Sequence, residues 1–553
     1  MSEIRQLTSQ ILLCQFGGGG KTSKKWTTFS HNGVVFAPIY VPHNIPIKYD
    51  GSNVKLPPLA EEYATLYAKY IDSEYAKNKV FGKNFFKSWK SSIKGLGINK
   101  IELCDFSSII KHLENIKEKK LNLSKDDKDI IKSRMEKDEE IYKMAIVDGQ
   151  EQPVGNYKLE PPGIFIGRGC HPKIGTIKTR IEPKHVTINL SKGVPIPLLP
   201  SFYTGQKFKK VVHNNKAEWI ASWKDDISGK TKYVWLGNKS NFKAKADQEK
   251  FDKAKKLGKH INKIRKINTD NLSNSKKQIK QLATALYFID NLALRVGNEK
   301  GDDEADTVGV TSLRWEHIVL KDDLKVKLDF LGKDSIRYVN EVKVSQQIYE
   351  NLQDFMKGKK RNDDLFNLIN STELNGYIKT LMPDFTAKVF RTFNASHTFQ
   401  NEISAINEKY KHYSKSDKID LLLSSYNTAN AKVAMLCNHQ KNVSKGYEEG
   451  MKKLVVKMKE YKVQIEELLK DGTDKSKKKV KKIKEQVKKH KMKKEAKMEL
   501  KNISLGTSKT NYIDPRISVA FLKTHEIPVE KIFSQALRDK FFWAFDINKD
   551  FVF

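Results

Sequence analysis

Residues 279–297, IKQLATALYFIDNLALRVG, contain the pattern that decides the fold in the middle of the chain. Apolar side chains recur there at steps of three and four residues, at Ile279, Leu282, Leu286, Ile289 and Ala293. This period is typical of a helix with one face against a core, and Gly297 is a helix stop signal. The pattern therefore predicts a helix whose last turn contains Arg295.

Two hairpins are predicted on either side of this helix. Downstream, alternation over 324–330 and a strand-like run over 336–344 indicate two strands, so Lys333 lies at the turn between them and can reach into a groove. Upstream, aromatic residues alternate around a turn at 228–229, at Trp219, Trp223, Tyr233 and Trp235. Their face could stack on bases, but a hairpin packed on a core explains the same pattern.

The remaining regions differ in character. Residues 26–200 mix short extended pieces with helical stretches near 59–75 and 106–140, which is typical of an α+β fold. Turn formers in residues 160–169, EPPGIFIGRG, predict a loop with close backbone approaches. Near the end of the chain, Asp514 is a natural N-cap and Pro515 suits the first helical position, so Tyr512 is expected just before a helix.

Residues 443–500 form a separate, lysine-dominated segment. Apolar residues there follow a four-three repeat that is interrupted at 471–473, with the repeat at Leu454, Met458, Tyr461, Ile465, Leu468, Val480, Ile483 and Val487. This predicts two antiparallel helices joined by a short turn. We expect a mobile, largely solvated arm, in which residues 475–484 could also serve as a nuclear import signal.

Length and charge limit the class of protein. The chain has 553 residues, which exceeds the about 250–300 residues of a single core, so several domains are expected. Its formal charge of +36 points to a polyanion, most commonly nucleic acid. No apolar run approaches the about 18 residues of a membrane span, and no export leader is expected. The four cysteines are far apart, so a reducing compartment is the default.

Three motifs that suggest cofactors are better explained otherwise. The run GGGGKT at 17–22 ends like a phosphate loop, but its spacing is wrong and a flexible leader is expected. The acids Asp302, Asp303, Glu304 and Asp306 could bind magnesium, yet such a cluster is more often a solvated loop. Cys170-His171 has no partner pair at zinc-ligand spacing. We therefore expect no metal and no cofactor.

Five motifs, taken together, closely resemble the eukaryotic type IB DNA topoisomerase I family. They are LALRVGNEK at 292–300, FLGKDSIRY at 330–338, KVFRTFNAS at 388–396, LCNHQ at 436–440 and TSKTNYIDPR at 507–516. They occur in family order, and PPG at 161–163, GRG at 167–169 and FWAFD at 542–546 extend the resemblance from about residue 26 to the end. Taken singly, the arginines, lysine, histidine and tyrosine within the five motifs have ordinary structural explanations.

The resemblance implies a role for each matched residue. Tyr512 would be the nucleophile that leaves a 3′-phosphotyrosine and a free 5′-hydroxyl. Arg295, Arg391 and His439 would clamp the transition state, and Lys333 would protonate the departing oxygen. Further DNA contacts or positioning roles are implied for Arg168, His171, Lys173, Asp334 and Asn511. Lys173 and the acids at 302–304 fall where two lips close around the duplex.

The same chemistry is reasonable from the residues alone. A phenol with an ordinary pKa near 10 is a weak nucleophile, and neighbouring arginines favour phenolate and stabilise charge on a pentavalent phosphate. Departures from the family pattern are Ile166, where an arginine is frequent, and Phe393, where a tyrosine is common; they concern DNA affinity more than chemistry. The long charged N-terminal tail that is typical of the family is nearly absent from this sequence. Targeting that depends on this tail is therefore expected to be lost.

The resemblance predicts a multidomain α+β, bilobed DNA clamp. A flexible leader (1–25) precedes a mixed α/β N-terminal cap (26–228). A mainly helical, tyrosine-recombinase-like catalytic lobe (229–442), an antiparallel coiled-coil linker (443–500) and a small helical C-terminal domain (501–553) follow. The predicted protein is a nuclear monomer that relaxes double-stranded DNA without ATP. The alternatives are a tyrosine site-specific recombinase and a non-enzymatic basic chromatin protein.

Overall fold

A computed structural model describes residues 24–301, 304–411, 419–441, 443, 446–471 and 473–553. The glycine-rich run at 17–22, Asp302, Asp303 and Gly472 lie outside these residues. Within the described chain, no helix is both long enough and apolar enough to cross a membrane.

The strands are short and lie in several small sheets. They are β1 Phe29–His31, β2 Ile47–Tyr49, β3 Ser52–Val54, β4 Cys104–Asp105, β5 Met144–Val147, β6 Gln150–Pro153, β7 Gly163–Ile164, β8 Ile177–Lys178, β9 Thr187–Asn189, β10 Lys210–Val212, β11 Trp219–Lys224, β12 Thr231–Trp235, β13 Ile318–Lys321, β14 Lys325–Leu331 and β15 Arg337–Lys343. The sheet orders are β1-β5-β6, β3-β2-β4, β7-β8, β10-β9-β11-β12 and β13-β14-β15. Only the β9/β10 pair among these ladders is parallel.

Helices dominate the second half of the chain. They are α1 Pro58–Ala68, α2 Lys79–Trp89, α3 Ser107–Leu121, α4 Lys125–Glu139, α5 Asn241–Leu272, α6 Lys277–Leu292, α7 Gln346–Met356, α8 Ser371–Leu381, α9 Ala387–Lys409, α10 Ile419–Leu436, α11 Tyr447–Asp471, α12 Asp474–Glu499, α13 Leu505–Asn511, α14 Pro515–His525 and α15 Gln535–Lys540. The chain is therefore a mixed α/β protein, as its sequence predicts.

Both predicted hairpins are present. Strands β14 and β15 pair antiparallel, and the turn between them contains Lys333. Strands β11 and β12 also pair antiparallel, with Trp219 opposite Trp235. Trp223 is buried, while Tyr233 and Trp235 are partly exposed, so the hairpin does pack on a core. The predicted boundary between the N-terminal cap and the catalytic lobe, between 228 and 229, falls within the turn of this hairpin. Both of its strands contribute to one core.

Within the described part of the chain, most of the buried apolar residues form four clusters that divide near the start of α5. Two clusters draw their buried members only from residues 26–236, around Phe29 and around Trp89. The other two draw theirs only from residues 251–544, around Phe288 and around Phe399. Residues before and after about 240 therefore bury separate cores, because few large apolar side chains cross from one part to the other.

Helices α11 and α12 run antiparallel, as the repeat predicts. Near the open end of the pair, the Lys497 amine lies 5.6 Å from the centre of the Tyr447 ring, and further along the Tyr461 and His490 rings are 5.3 Å apart. Val480 on α12 is buried. The segments that flank the pair meet again, since the Lys441 amide donates to the Asn502 carbonyl at 2.9 Å. The chain therefore enters and leaves the helix pair at nearly the same place in the structure.

Two glycines allow two loop segments to cross at close range next to the end of α6. The Val310 amide donates to the Arg295 carbonyl at 2.9 Å, and the Thr311 amide donates to the Val296 carbonyl at 2.8 Å. Gly297 has a φ of +87°, and a Cβ added to Gly309 would lie 2.8 Å from the Arg295 carbonyl oxygen. The backbone around Arg295 is therefore held by a contact that only glycine permits.

We predict that Gly309→Ala destabilises the protein by about 1–3 kcal/mol, because the added methyl group overpacks a backbone crossing. The measurement is urea unfolding followed by circular dichroism. Gly446→Ala is the matched control, since its Cβ would meet no atom within 4 Å, and its effect should stay within about 0.5 kcal/mol. Equal stability of the two variants would contradict the importance of this crossing.

Candidate active site

Arg295 lies in a loop and not in the last turn of a helix. Helix α6 ends at Leu292, and Ala293 adopts a left-handed conformation with a φ of 49°. The prediction was wrong because the backbone after Ala293 pairs with residues 310–311, which competes successfully with helical hydrogen bonding. The half-buried Arg295 side chain reaches Tyr512, and its Nη1 donates to the phenol oxygen at 3.1 Å.

Arg391 lies on α9 and is buried, with 6% of its surface exposed. Its guanidinium donates to the carbonyls of Ala293 and Cys437, the residues that directly follow α6 and α10. Carbonyls at helix C-termini lack helical partners and carry partial negative charge. They stabilise the guanidinium without neutralising its charge, although burial still lowers the pKa of Arg391. Its Nε has no hydrogen-bond partner among the residues that the structure describes.

His439 follows α10 and is also buried. Its Nδ1 lies 2.7 Å from the Ser508 hydroxyl, and its Nε2 lies 3.5 Å from Nη2 of Arg391. Burial, followed by the charges of Arg391 and Arg295, lowers the pKa of His439 to about 3. The imidazole is therefore neutral at physiological pH.

Tyr512 joins this group from the C-terminal segment. Tyr512 is 8% exposed, and the centre of its ring lies 5.0 Å from the Arg391 guanidinium carbon and 5.1 Å from the centre of the His439 ring. The tyrosine lies directly after α13 and two residues before Asp514, which accepts from the Arg516 amide as the N-cap of α14. The predicted position of Tyr512 in front of this helix is confirmed.

A serine on α9 holds the backbone on both sides of the tyrosine. The Ser396 hydroxyl donates to the Tyr512 carbonyl at 2.9 Å and accepts from the Asp514 amide at 3.0 Å. Ser396 and Ser508 are both fully buried. Sequence reasoning missed both as site residues, although each lies within a motif. Ser396 lies five residues after Arg391, and Ser508 lies four residues before Tyr512. These spacings indicate a role in the site only once the helices that carry the two serines are known.

Lys333 is exposed and lines the cleft above these residues. It begins a single helical turn at the tip of the β14–β15 hairpin, where Asp334 and Ser335 have φ values of 67° and 58°. The cleft has a volume of about 220 Å³ and is also lined by Arg295, Arg391 and His439. The structure thus brings all four cationic or imidazole side chains around one space. Tyr512 lines an adjoining pocket that shares Arg295, Lys333 and Arg391 with this cleft.

Of the other predicted DNA-binding residues, Arg168 and Asp334 line this cleft. Arg168 forms an ion pair with Asp334, so the loop over 167–169 meets the hairpin tip. His171 accepts from the Lys173 amide at 3.1 Å and packs against Phe165, and the Lys173 amine donates to the Ile227 carbonyl at 2.6 Å. The exposed Asn511 amide donates to the Thr507 carbonyl at 3.2 Å, within its own helix.

The described members of the acidic cluster pair with cations. Glu304 lies 2.5 Å from the Lys230 amine, and Asp306 accepts two hydrogen bonds from Arg314 at 3.0 and 2.7 Å. Among the residues that the structure describes, no three His, Cys, Asp or Glu side chains gather in a way that could hold a metal ion. These acids act as ion-pair partners, and the Lys230–Glu304 pair joins the β11–β12 turn to the loop after Arg295.

Sequence comparisons identify the family of this chain. Residues 24–236 match the family model of the eukaryotic DNA topoisomerase I DNA binding fragment, residues 239–472 match that of its catalytic core, and residues 484–553 match the C-terminal topoisomerase domain. The chain belongs to the eukaryotic DNA topoisomerase I family. The residues around the cleft come from all three matched regions.

Individual relatives are similar over nearly the whole chain. DNA topoisomerase 1 of Caenorhabditis elegans is 44% identical over 550 residues, which cover 95% of this chain and 67% of the relative. DNA topoisomerase 1 alpha of Arabidopsis thaliana is 42% identical, covering 97% and 60%. DNA topoisomerase 1 of Homo sapiens is 41% identical, covering 96% and 72%. This chain thus spans 60% to 72% of the length of these relatives.

The depressed pKa of His439 predicts a pH dependence of stability. The ordinary value is 6.5 and the folded value is about 3, so the unfolded chain binds this proton more readily. The contribution of neutral His439 is complete above about pH 6.5 and is lost as the pH falls towards 3. We predict that His439→Gln reduces the loss of unfolding free energy between pH 7 and pH 5 by about 2 kcal/mol.

Urea unfolding of both proteins at the two pH values measures this difference. His31→Gln serves as a positive control, because burial lowers the pKa of His31 to about 4 at a position in the N-terminal core. Identical pH dependence of the wild type and His439→Gln would show that His439 is solvated in the folded protein.

Proposed function

We propose that this chain relaxes supercoiled DNA by cutting one strand through Tyr512, allowing the cut strand to rotate, and resealing it. The observation that carries the proposal is the contact between the Tyr512 phenol and Arg295 at 3.1 Å, beside the buried guanidinium of Arg391. A nucleophile surrounded by fixed positive charge suits attack on a phosphodiester. DNA topoisomerase I relatives provide independent support for DNA as the substrate.

The cleavage step uses five side chains. The Tyr512 phenol loses its proton to water, its oxygen attacks the phosphorus, and the bond from the phosphorus to the 5′-oxygen breaks. Arg295 and Arg391 donate to the nonbridging oxygens, since guanidinium groups offer paired donors in a fixed geometry. His439 donates a further hydrogen bond, and Lys333 gives a proton to the departing 5′-oxygen. The products are a 3′-phosphotyrosine and a 5′-hydroxyl.

Resealing reverses these steps and needs no external energy. The phosphotyrosine linkage conserves the energy of the original phosphodiester, so the 5′-hydroxyl can attack it directly. Lys333 then accepts the proton that it gave. Torsion stored in the DNA drives the net change, and supercoils of either sign can relax.

We predict that the purified chain relaxes supercoiled plasmid in excess EDTA and without nucleotide. Agarose gels should show a ladder of topoisomers. Tyr512→Phe should abolish relaxation while binding of linear duplex changes less than about threefold, because only the nucleophilic oxygen is lost.

Other products of the same assay would contradict the proposal. A strict requirement for magnesium or ATP would overturn the mechanism. Inversions or deletions at defined sites would identify a recombinase, and unchanged relaxation by Tyr512→Phe would exclude this tyrosine as the nucleophile.

A clamp around the duplex is the architecture that we propose. Separate cores before and after about residue 240 support two lobes, with the first ending near 236, after the β11–β12 hairpin. The Arg168–Asp334 and Lys230–Glu304 ion pairs join the two parts beside the cleft. Encirclement by a chain of charge +36 implies affinity that falls steeply with salt. Arg168, His171, Lys173, Asp334 and Asn511 are the proposed DNA contacts or positioning residues.

Helices α11 and α12 are proposed to act as a coiled-coil linker with a basic outer surface. Lysines crowd α12, and residues 475–484 fit a nuclear import signal, in keeping with a nuclear enzyme. We propose a monomer, because one chain supplies every side chain of the cleft.

We predict that replacing residues 446–499 with a short Gly-Ser connection leaves DNA cleavage within about threefold of wild type. The flanking segments already meet, since the His439 carbonyl accepts from the Ser504 amide at 2.8 Å and the Lys441 amide donates to Asn502. Single-turnover cleavage of a short duplex measures the rate. A loss as large as that of Tyr512→Phe would show that the helix pair is needed to deliver the nucleophile.

A further inference from the structure

Ser508 contacts both the histidine and the backbone of the nucleophile. Its hydroxyl lies 2.7 Å from Nδ1 of His439. Its carbonyl accepts from the amides of Tyr512 at 2.9 Å and Ile513 at 3.0 Å. Ser508 is fully buried, so water does not compete for these bonds. One residue of α13 therefore touches two groups of the proposed reaction.

The contacts of His439 favour one position for its proton in the DNA-free protein. A guanidinium can only donate, so the contact with Arg391 favours Nε2 as an acceptor. With Nε2 as the acceptor, the proton of the neutral imidazole lies on Nδ1 and points to the Ser508 oxygen. The 3.5 Å separation between Arg391 and Nε2 marks a weak contact, which an incoming phosphate can replace.

The proposed reaction needs the opposite arrangement at Nε2. To donate to a phosphoryl oxygen, Nε2 must carry a proton. Either the imidazole gains a second proton, and Nδ1 continues to donate to Ser508, or the proton moves to Nε2, and Nδ1 becomes an acceptor. A hydroxyl serves in both cases because it can donate or accept, whereas a carboxylate can only accept.

We propose that Ser508 is the positioning residue for His439, holding its Nδ1 in either proton state so that Nε2 can donate to the scissile phosphate. This inference rests on the proposed function. It also links assembly of the site to delivery of the nucleophile, since Ser508 arrives on the same segment as Tyr512. His439 is oriented only when that segment is docked.

The surroundings of His439 explain why a neutral partner is present. The charged or titratable groups that face it are Arg391 from α9, Arg295 from the loop after α6, Cys437 from the end of α10 and Tyr512. A carboxylate at position 508 would pair with the positive charges of Arg391 and Arg295 and compete with the DNA phosphate for them. The serine orients the His439 ring and leaves these positive charges for the substrate.

A double-mutant cycle tests the inference. The assay is single-turnover cleavage of a duplex oligonucleotide, with duplex affinity measured in a Tyr512→Phe background. Ser508→Ala should slow cleavage about 10- to 100-fold, by analogy with the loss that follows when the hydrogen-bond partner of a metal-ligating histidine is removed. Its duplex affinity should change less than about twofold. In a His439→Ala background, Ser508→Ala should cause no further loss of rate.

Ser518→Ala is the matched control. Ser518 is a buried serine whose hydroxyl lies 2.7 Å from the Tyr426 hydroxyl, so its loss removes a comparable bond away from the cleft. This variant should cleave at the wild-type rate while its thermal midpoint falls by a similar amount to that of Ser508→Ala. The comparison separates a loss of stability from a loss of positioning.

The outcomes are distinct. Equal slowing by Ser508→Ala with and without His439, or slowing matched by Ser518→Ala, would overturn the inference in favour of a structural role. If the wild type cleaves DNA and Ser508→Ala cleaves it at the same rate, the inference is also overturned, while the proposed function stands. An inactive wild type would instead refute the proposed function.

Discussion

The site depends on keeping a bare guanidinium buried beside a phenol. Removing a cation from water costs several kcal/mol, and a carboxylate partner would normally offset this. Here the C-terminal carbonyls after α6 and α10 converge on Arg391 instead. Partial charges from two helix ends stabilise the cation, yet its full charge remains to attract an anion. The architecture of the helical half is therefore a means of bringing two helix termini to one point.

Helix α9 organises the rest of the site around that point. Arg391 donates hydrogen bonds to the carbonyls at two helix ends, and Ser396, five residues later, donates to the backbone carbonyl of Tyr512. The distance between cation and nucleophile is consequently set within one rigid element. Arg295 and His439 enter from segments adjoining the same two helix ends, so each contact that places Arg391 also places one of them. This shared support explains how residues more than 200 positions apart meet within hydrogen-bond distance.

Periodicity predicted what depends on local pattern. The β14–β15 hairpin, the antiparallel pair α11 and α12 and the N-cap at Asp514 all follow from alternation, a four-three repeat or capping chemistry. It failed at Arg295, where apolar spacing continues past the true end of α6 and a long-range pairing with residues 310–311 decides the backbone. Ser396 and Ser508 could not be found by pattern at all. A serine becomes informative only when the structure shows what its hydroxyl bonds.

The segments that flank the α11–α12 pair are joined directly to each other. Because residues 439–441 bond directly to 502–504, the C-terminal segment is anchored beside His439 by short-range contacts and not by the long helices. Motion of the helix pair can then occur without separating Tyr512 from the arginines. The anchoring also brings His439 next to Ser508, so the loop that carries the histidine and helix α13, which directly precedes the tyrosine, must dock together. The two halves of the site are in this sense a single cooperative unit.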